Sequence, residues 1–545
     1  MASHEVEVEK KYDVGADAGV PDLTAVAGVA RVGEPRVDHL EAVYFDTEDS
    51  ALAVRGITLR RRTGGSDAGW HAKLPLRKGD GPEDAEPGPS EPGSSEPRRR
   101  RELRAPLGQP GVVPDSLLAH VLAYLRGNDP LPTVRLETQR TTYPLYGDDG
   151  VHLADLADDR VTAQILKSSG PVDEDAGTQE WREWELELVH GTPDLFPAAE
   201  EVLTGAGARP AEHGSKLAKA LRGGGGTSPG PESHAAKVQR PAPGPAPEPP
   251  GKKGPVSDLL LSYLAAQIDE ILGNDPGVRL EEPEAVHDLR SATRRARSAL
   301  SAYRRFYSAG TVRRLRDELK WLGGMLGAPR DADVMLDRLR THVAELPPGP
   351  ASKAAADRLE EDLGNTLDTA YRKLQKTLLS ERYFRLLDDL EDFRDRPPTR
   401  PEGEAPARKT AGKVVGKEAK RLRRAARNAK SARGGADHEE ALHQVRKDAK
   451  RLRHVAESIT PVHGKRAGKV AKAAHLQQQI LGDFHDSVVA RDLLSMMAAT
   501  PELPEDVVSV YVTLHTRQVQ LAADAEARYW KARRKSRKTL QRGVT

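Results

Sequence analysis

The chain contains no cysteine among its 545 residues. This absence excludes disulfide bonds, thiolate metal sites and cysteine nucleophiles, and it fits a reducing compartment. No run of about 18 apolar residues occurs, and the charged N-terminus carries no apolar signal region. These absences predict a soluble, cytoplasmic protein with no membrane partner.

Aromatic residues are also scarce, at 4% of the chain. Proteins that bind single-stranded nucleic acids usually stack bases on aromatic side chains, so this scarcity disfavours a nucleic-acid partner. Neither sign of charge dominates, because 84 Lys and Arg residues accompany 82 Asp and Glu residues. Any charged site must therefore arise from local segregation of charge.

Composition divides the chain into two parts. The stretch "LRGGGGTSPGPESHAAKVQRPAPGPAPEPPGKKGP" is dense in Gly and Pro and has almost no large apolar residues, which is typical of a linker. We therefore expect domains at residues 1–222 and 256–540, joined by a linker at 223–255. Two domains also agree with the length, which exceeds what a single core accommodates.

The two parts differ in periodicity. Before the linker, short alternating segments such as "HLEAVYFDT" and "ITLRRRT" are typical of β-strands, and after it long Ala-, Leu- and Arg-rich stretches have helical spacing. The sequence thus predicts an α+β multidomain protein in which an all-α domain follows a β-rich domain. Two Pro-rich inserts, Lys78 to Pro97 and Pro397 to Pro406, are expected to be disordered loops.

An internal repeat runs through the helical part. "AVHDLRSATRRARSAL" contains His287, and "ALHQVRKDAKRLRHVA" repeats its pattern from His443, 156 residues later. "LGAPRDADV" from Leu326 is matched by "LGDFHDSVV" from Leu481, 155 residues later. Two motifs at nearly one offset predict two pseudo-repeated helical bundles.

Each repeat carries a basic stripe. At 100° per residue, the residues of the first stripe fall within roughly 80° of arc on one helix face. The stripes comprise His287, Arg290, Arg294 and Arg297, then His443, Arg446, Lys450 and Arg453, with Lys447 and Arg451 widening the second. The only acidic residue between His287 and Arg305 is Asp288. Uncompensated cations repel one another, so the stripes favour a polyanion, and their lack of aromatic residues favours phosphates without bases.

The doubled pattern H-x-x-R-x-x-x-[RK]-R-x-R, followed each time by LG-x-x-x-D, resembles the CHAD family, the conserved-histidine α-helical domain. The resemblance covers about residues 256 to 540. It implies inorganic polyphosphate as the ligand and the histidines and cations of both stripes as its contacts. Arg330 and Asp333 have no like-for-like partners in the second repeat, so no role is carried over to them.

Charged rows alternate with apolar residues in the β-rich part. "HEVEVEKKYDV" and "WREWELELV" place acidic rows on two strands, with Glu5 and Glu183 at the ends of the rows. Cations occupy one face of other predicted strands. Carboxylate oxygens suit Mg²⁺ or Mn²⁺, and arginines clamp phosphate oxygens. Such rows favour an inward orientation in a closed antiparallel β-barrel, whose apolar faces pack outward against flanking helices.

"E-V-E-K-K" from Glu7 to Lys11 matches the E-x-E-x-K signature of the CYTH family, the triphosphate tunnel metalloenzymes. With "YFDT", "LRRR", "AKLP", "ELEL" and "GSKLAKAL", the resemblance covers about residues 3 to 222. It implies metal-dependent hydrolysis of the terminal phosphoanhydride of inorganic triphosphate, with Mg²⁺ or Mn²⁺ as cofactor.

The same resemblance implies the site residues. The metal ligands are Glu7, Glu9, Glu185 and Glu187, which with Lys11 form the catalytic set. The triphosphate ligands are Lys11, Arg60, Arg62, Lys73, Arg140 and Lys216. A further carboxylate comes from "HLADLADDRV". We assign Asp155 to the metal, with Asp158 and Asp159 as open alternatives.

The two resemblances together predict an inorganic triphosphatase whose helical domain binds long-chain polyphosphate, in the cytoplasm and with polyphosphate granules as a candidate location. Two alternatives stay open. One is a non-catalytic polyphosphate-binding protein, and the other is a CYTH enzyme that acts on a nucleotide or thiamine triphosphate. Only a measured rate separates the first alternative from the enzyme, because the same residues serve binding and catalysis.

Overall fold

The computed structural model describes residues 3–76, 97–166, 178–223, 247–282 and 284–544. The chain divides into two compact units, residues 1–243 and 244–545. Most of the expected insert from Lys78 to Pro97, and of the linker at 223–255, lies outside the described residues. Among the helices that are described, none is both long and apolar enough to cross a membrane.

The first unit is built on a closed antiparallel barrel. Its strands are β1 (Ser3–Val14), β2 (Arg31–Val32), β3 (Arg36–Asp46), β4 (Thr58–Thr63), β5 (Gly69–Pro75), β6 (Arg98–Ala105), β7 (Leu131–Tyr146), β8 (His152–Ile165), β9 (Gln179–Leu188) and β10 (Arg209–Pro210). Eight of them follow the order β1-β6-β5-β4-β3-β7-β8-β9, and β9 pairs with β1 to close the ring. β2 pairs with β7, and β10 pairs with β1. The predicted closed barrel is therefore confirmed.

In the described part of the chain, two helices cover the apolar outer face of the barrel, and a third packs against its interior. They are α1 (Asp115–Leu125), α2 (Leu195–Gly205) and α3 (Lys216–Gly223), with 3-10 turns at Leu23–Ala25 and Ala53–Arg55. Tyr12 and Trp184 of neighbouring strands pack with Phe196 of α2, and Trp70 packs with Leu117 of α1. Burying such large side chains outside the ring leaves the opposite, polar faces of the strands to line its interior.

α3 differs from the other two helices because it meets residues of the inner face. Leu217 and Ala220 are buried against Tyr44, Leu136 and Val161, which lie on the same inner face as the inward-facing charged residues of their strands. α3 thus packs at one end of the barrel interior. Its first residue, Lys216, is only 8% exposed.

The second unit is helical throughout its described length. It comprises α4 (Val256–Arg279), α5 (Ala285–Tyr303), α6 (Ala309–Met325), α7 (Gly327–Ala344), α8 (Pro350–Leu378), α9 (Glu381–Asp395), α10 (Ala407–Ser431), α11 (His438–Ser458), α12 (Thr460–His463), α13 (Lys465–Ala498) and α14 (Glu505–Arg542), with 3-10 turns at Arg304–Phe306 and Pro401–Glu404. α5 and α11, which carry the basic stripes, pack against each other. Buried alanines such as Ala292, Ala296 and Ala449 lie in these helices and permit a close approach.

α4 and α10 occupy matching positions at the start of the two repeats. The Val256 N–H donates to the Ala405 carbonyl at 2.9 Å, and the Ala407 N–H donates to the Gly254 carbonyl at 2.8 Å. Each helix begins directly after a proline in extended conformation. The two first helices therefore start side by side.

The expectation of a disordered loop from Pro397 to Pro406 is wrong. Backbone bridges pair Thr399 with Tyr307 and Pro406 with Pro255, and the Arg400 N–H donates to the Phe306 carbonyl at 2.8 Å. Proline fixes its own φ and leaves carbonyls free to accept, so a Pro-rich segment can be ordered when neighbouring backbone supplies donors.

Candidate active site and basic face

The glutamates of β1 point into the barrel. Glu7 is 7% exposed and Glu9 is 1% exposed, whereas Val6 between the charged positions is 41% exposed. Register pairs Glu9 with Glu187 and Lys11 with Glu185 across β1 and β9. Directly paired residues project to the same face of a sheet, so the two acidic rows lie side by side inside the ring.

A cavity of about 770 Å³, part of it open to solvent, occupies the interior. All six cations that were predicted to bind triphosphate line this cavity. Three of the predicted metal ligands, Glu7, Glu185 and Glu187, line it as well. The six cations are Lys11, Arg60, Arg62, Lys73, Arg140 and Lys216. Lining cations come mostly from β4 to β7 and the acidic rows from β1 and β9, so charge of opposite sign is segregated around the wall.

One acidic cluster is compensated by cations. Oxygens of Asp159, Glu183 and Glu185 lie within 4.8 Å of one another. Lys216 Nζ lies 2.8 Å from Asp159, 2.8 Å from Glu183 and 3.0 Å from Glu185. Arg140 binds Asp159 through two hydrogen bonds of 2.8 and 2.6 Å, and reaches Glu185 at 2.8 Å. Burial alone would raise the pKa of Asp159, but Arg140 and Lys216 hold it at about 2.

A second acidic cluster is compensated only in part: Lys73 binds Glu7, and Lys11 and Arg100 bind Glu9, but Glu187 has no such partner within the described chain. Glu187 forms no ion pair with any other described residue, and burial together with the nearby Glu7 carboxylate raises its pKa to about 7. Glu7 is bound by Lys73 through Oε1, but its Oε2 atom is buried and accepts no hydrogen bond from the described part of the chain. Burial also raises the pKa of Glu9, against the lowering effect of Lys11.

These observations test whether the barrel fits a divalent metal ion. Hard cations such as Mg²⁺ and Mn²⁺ bind carboxylate oxygens. Glu7, Glu9 and Glu187 supply such oxygens, and Glu7 Oε2 accepts no hydrogen bond within the described chain, while Glu187 forms no ion pair there. The donor set fits. The compensated cluster around Asp159 fits less well, because Lys216 and Arg140 already satisfy it.

The three aspartates of "HLADLADDRV" differ in burial and in their partners. Asp159 is fully buried in the compensated cluster. Asp158 points to the other face and is bound by Arg182 at 2.7 and 2.8 Å. Asp155 shares a face with Glu187, but its side chain is 33% exposed and accepts a 2.7 Å contact from His152. Both Asp155 and Asp159 therefore lie beside the acidic row of β9, but only Asp159 is buried in the acidic cluster, whereas Asp155 is half-buried opposite Glu187.

Sequence reasoning missed the contribution of β6. Arg100, Glu102 and Arg104 line the cavity, and Arg100 binds Glu9. Glu102 accepts from His71 at 3.0 Å and from Arg104 at 2.6 Å. The alternation in "RRRRELR" was the available signal, because positions 100, 102 and 104 fall on one face of a strand.

In the helical unit, cations from both stripes converge. We call Arg290, Arg294, Arg446 and Lys450 the central face. Burial and then repulsion from Arg294 and Arg446 lower the pKa of Lys450 to about 6, and burial with Arg290 lowers that of Arg294 to about 10. Within the described chain, Arg294, Arg446 and Lys450 form no ion pair. Only Arg290 has a carboxylate, Asp331, at 2.8 Å.

The other cations of the second stripe are compensated. Arg451 lies 2.9 Å from Glu418, Arg453 binds Glu457 at 2.7 Å, and Lys447 lies 3.6 Å from Glu440. Arg297, in contrast, faces Arg316, which together with burial lowers its pKa. The shortage of counter-ions is therefore concentrated on the central face and its Arg297 neighbour.

The two stripe histidines lie at the edge of the central face and have different neighbours. The rings of His443 and His485 are 4.5 Å apart between centroids, and burial with His485 lowers the pKa of His443 to about 4. Burial and then Arg330 lower the pKa of His287. Arg330 in the first repeat thus occupies the position equivalent to His485 in the second repeat. The difference in motif noted from the sequence has a structural counterpart.

Comparison with known proteins agrees with this architecture. The CHAD domain family matches residues 262–495. Two Mycobacterium tuberculosis proteins described as uncharacterized, MT2285 (strain CDC 1551 / Oshkosh) and Rv2226 (strain ATCC 25618 / H37Rv), are each 36% identical over 548 residues. The alignments cover 98% of this chain and 97% of each relative. This identity extends through both units.

Solved structures resemble parts of the chain. PptA from Streptomyces chartreusis is 21% identical with a TM-score of 0.45, covering 51% of this chain and 99% of its own. The CHAD domain from the plant Ricinus communis is 25% identical with a TM-score of 0.42, covering 53% and 96%. TM-scores this low do not establish a shared function.

The closed eight-stranded barrel with an inward E-x-E-x-K row is that of a CYTH tunnel domain, and a CHAD domain follows it. The chain belongs to the CYTH-CHAD proteins, in one family with the two mycobacterial relatives.

Proposed function

We propose that the barrel hydrolyses inorganic triphosphate with the help of a divalent metal ion, and that the helical domain binds long-chain polyphosphate. The observation that carries the first part is the segregation of charge inside one cavity. Glu7 and Glu187, with Glu9 buried beside them, lie in the same cavity as cations from four other strands, and Glu187 has no ion pair in the described chain. A multiply charged anion together with a divalent cation would satisfy both walls.

Cations of the barrel wall would bind the anion. Arg60 and Arg62 of β4, Lys73 of β5 and Arg140 of β7 bind phosphate oxygens and fix the orientation of the anion. Tyr44 is the aromatic residue among the lining positions, and its hydroxyl accepts from Arg60 at 3.2 Å. The cavity thus offers phosphate ligands on most of its wall, which favours inorganic triphosphate over a nucleotide.

Glu7, Glu9 and Glu187 would hold Mg²⁺ or Mn²⁺. When bound, the metal neutralises phosphate charge and polarises the phosphoryl group toward attack by water. Lys216 and Arg140 keep the Asp159 carboxylate ionised beside these ligands. Lys11 and Lys216 likewise hold the pKa of the buried Glu185 well below its usual range. The protein contributes positioning and electrostatics, which dominate phosphoryl transfer.

The central face of the helical domain supports the second part. Arg294 and Arg446, held in place by two packed helices, repel each other and disfavour the charged form of Lys450 until a polyanion lies across all three. A chain of phosphates is sufficient to balance the charge of these cations, and binding there does not require a metal ion.

Release of phosphate by the purified protein tests the proposal. Tripolyphosphate, ATP and long-chain polyphosphate are supplied, each with and without Mg²⁺ or Mn²⁺. We expect metal-dependent turnover with tripolyphosphate preferred over ATP. Equal or better kcat/KM with ATP would indicate a nucleotide enzyme instead. Binding of polyphosphate without turnover of any substrate would indicate a non-catalytic protein.

A further inference from the structure

The strongest excess of positive charge in the helical domain lies outside both stripes, on α10. The helix contains ten Lys and Arg residues and a single acidic residue, Glu418. Glu418 is 4% exposed and already binds Arg451 of α11. Arg421 pairs with Asp448 at 2.8 Å, and Arg423 donates to the Leu540 carbonyl at 2.9 Å. The remaining cations of α10 form no ion pair within the described chain.

Six of these remaining cations share one face. At 100° per residue they fall within roughly 80° of arc and extend along about 27 Å of the helix. We call them the outer stripe: Lys409, Lys413, Lys417, Lys420, Arg424 and Arg427. All six are exposed, and the opposite face of α10 carries the buried residues Val415, Leu422 and Ala426. The stripe is therefore a surface open to a ligand.

The fold does not require this charge. α4 occupies the matching position in the first repeat, yet it carries four acidic residues and a single cation, Arg279, which is paired with Asp275. Some exposed cations of the first repeat have partners, such as Arg340 with Glu360 and Arg382 with Glu318, and α10 differs by collecting many cations that are unpaired within the described chain on one face. Solubility or helix stability would be served equally well by the mixed charges of those helices. The unpaired cations of α10 need another explanation.

We propose that the outer stripe of α10 is a second polyphosphate-binding surface, which engages the part of a long chain that extends beyond the central face. This inference rests on the proposed function of the helical domain. The two surfaces are linked through α11, because Arg451, next to Lys450 of the central face, binds α10, and Arg421 lies beside Arg451. Cations thus continue from the central face around α10 to its outer side.

The chemistry of the stripe favours polyphosphate over nucleic acid. Lysines supply four of its six cations and act as point charges toward phosphate. α10 contains no aromatic residue and only one amide side chain, Asn428, so it offers neither stacking nor a set of base-edge readers. Polyphosphate presents phosphates alone.

Binding by the full-length chain in the absence of metal, so that hydrolysis does not interfere, tests the inference. A short oligophosphate, long-chain polyphosphate and a double-stranded DNA are titrated against the wild type and against a Lys409→Gln, Lys413→Gln, Lys417→Gln, Lys420→Gln variant. The control replaces Lys320, Lys353, Lys373 and Lys376, four exposed lysines of the first repeat, by Gln. Both variants lose four charges at exposed helical positions, where Gln has helix propensity close to that of Lys.

We expect the α10 variant to bind the short ligand as the wild type does and to lose about tenfold or more in affinity for the long one. The slope of log K against log salt concentration should become shallower by about 3. A single-stranded polyanion contributes about 0.7 to this slope for each phosphate contact, and the variant loses four contacts. The control should change little. Equal losses in both variants would overturn the inference in favour of diffuse electrostatics. Loss of double-stranded DNA binding with unchanged polyphosphate affinity would assign the stripe to nucleic acid.

The proposed function fails separately. If the wild type binds neither ligand, the helical domain is not a polyphosphate-binding domain at all. If it binds both, and Arg294→Gln with Lys450→Gln weakens both while the α10 variant matches the control, only the outer stripe is refuted.

Discussion

The barrel interior and the central face of the helical domain both collect buried cations, but they treat them differently. In the barrel, Lys216 and Arg140 each contact more than one carboxylate. On the central face, Lys450 meets only other cations at close range in the described structure, and burial and this repulsion lower its pKa; for Arg294, burial with Arg290 and Arg446 outweighs the nearby Asp331. One site balances charge within the protein, and the other leaves the balance to a ligand.

This difference separates two kinds of anion site. A site with its own carboxylates can also hold a metal ion and therefore do chemistry on a phosphate. A site with cations alone can bind a polyanion but has no means to position a metal ion. The four predictions below test this contrast, from the largest expected effect to the smallest.

Glu187→Gln should reduce metal-dependent hydrolysis of tripolyphosphate by about a hundredfold or more, because it removes a carboxylate oxygen from the proposed metal ligands Glu7, Glu9 and Glu187. Stability should not fall, since Glu187 has no ion pair to lose within the described chain. Phosphate release at limiting Mg²⁺ and a urea unfolding curve measure the two quantities. Turnover at the wild-type rate would remove Glu187 from the metal site. Metal-free polyphosphate binding serves as the internal control and should be unchanged.

Asp159→Asn should destabilise the barrel by about 3 kcal/mol, because Arg140 and Lys216 lose a buried ionic partner. Asp155→Asn is the matched control, since its partly exposed pair with His152 contributes less than about 1 kcal/mol. Denaturant unfolding of both variants gives the comparison. Equal effects would contradict the assignment of Asp159 as the buried aspartate of the acidic cluster.

Replacing Arg290, Arg294, Arg446 and Lys450 by Ala should weaken polyphosphate binding by tens of times. It should also flatten the salt dependence, because fewer phosphate contacts form and fewer counter-ions are released on binding. The control changes Arg534, Lys535, Arg537 and Lys538, which are exposed near the end of α14. Fluorescence titration at several salt concentrations measures both effects. A control variant that loses as much affinity would show that binding does not depend on the central face.

Polyphosphate affinity should rise as pH falls from about 8 to 6, by at most about tenfold per pH unit. Lys450 is neutral in the free protein above its pKa of about 6, and a bound polyanion favours its charged form, so binding takes up a proton. The increase should level off below about pH 6, where the lysine is already protonated. Lys450→Arg should remove the pH dependence over this range, because arginine stays charged. A wild-type profile that is flat between pH 6 and 8 would refute this coupling.

Much of the site followed from the sequence. The alternation of Glu7 and Glu9 with valines fixed which residues share a face, and the matching rows on other strands favoured an inward orientation, which the burial of Glu7 confirms. The helical spacing of Arg290, Arg294 and Arg446 likewise placed these residues on one face of their helices. Period and spacing are local properties, so they can be determined from the chain alone.

The choice among aspartates was beyond the sequence. Asp155 and Asp159 share one face of β8, and only the strand register, which sets Asp159 opposite Glu183 and beside Arg140, decides which of them is buried. The same holds for Arg100, whose role depends on β6 pairing with β1. Register is set by contacts between distant segments, which no local pattern encodes.

Charge compensation was decided by tertiary structure alone. The sequence determined that both stripes are basic, that the barrel carries acidic rows, and that the two parts fold as separate classes of structure. It could not show that Glu418 and Glu457 satisfy Arg451 and Arg453 while Lys450 is left with cations only. The energy of a charge depends on its burial and on neighbours brought near by packing, so the function of a cation is settled only in the folded chain.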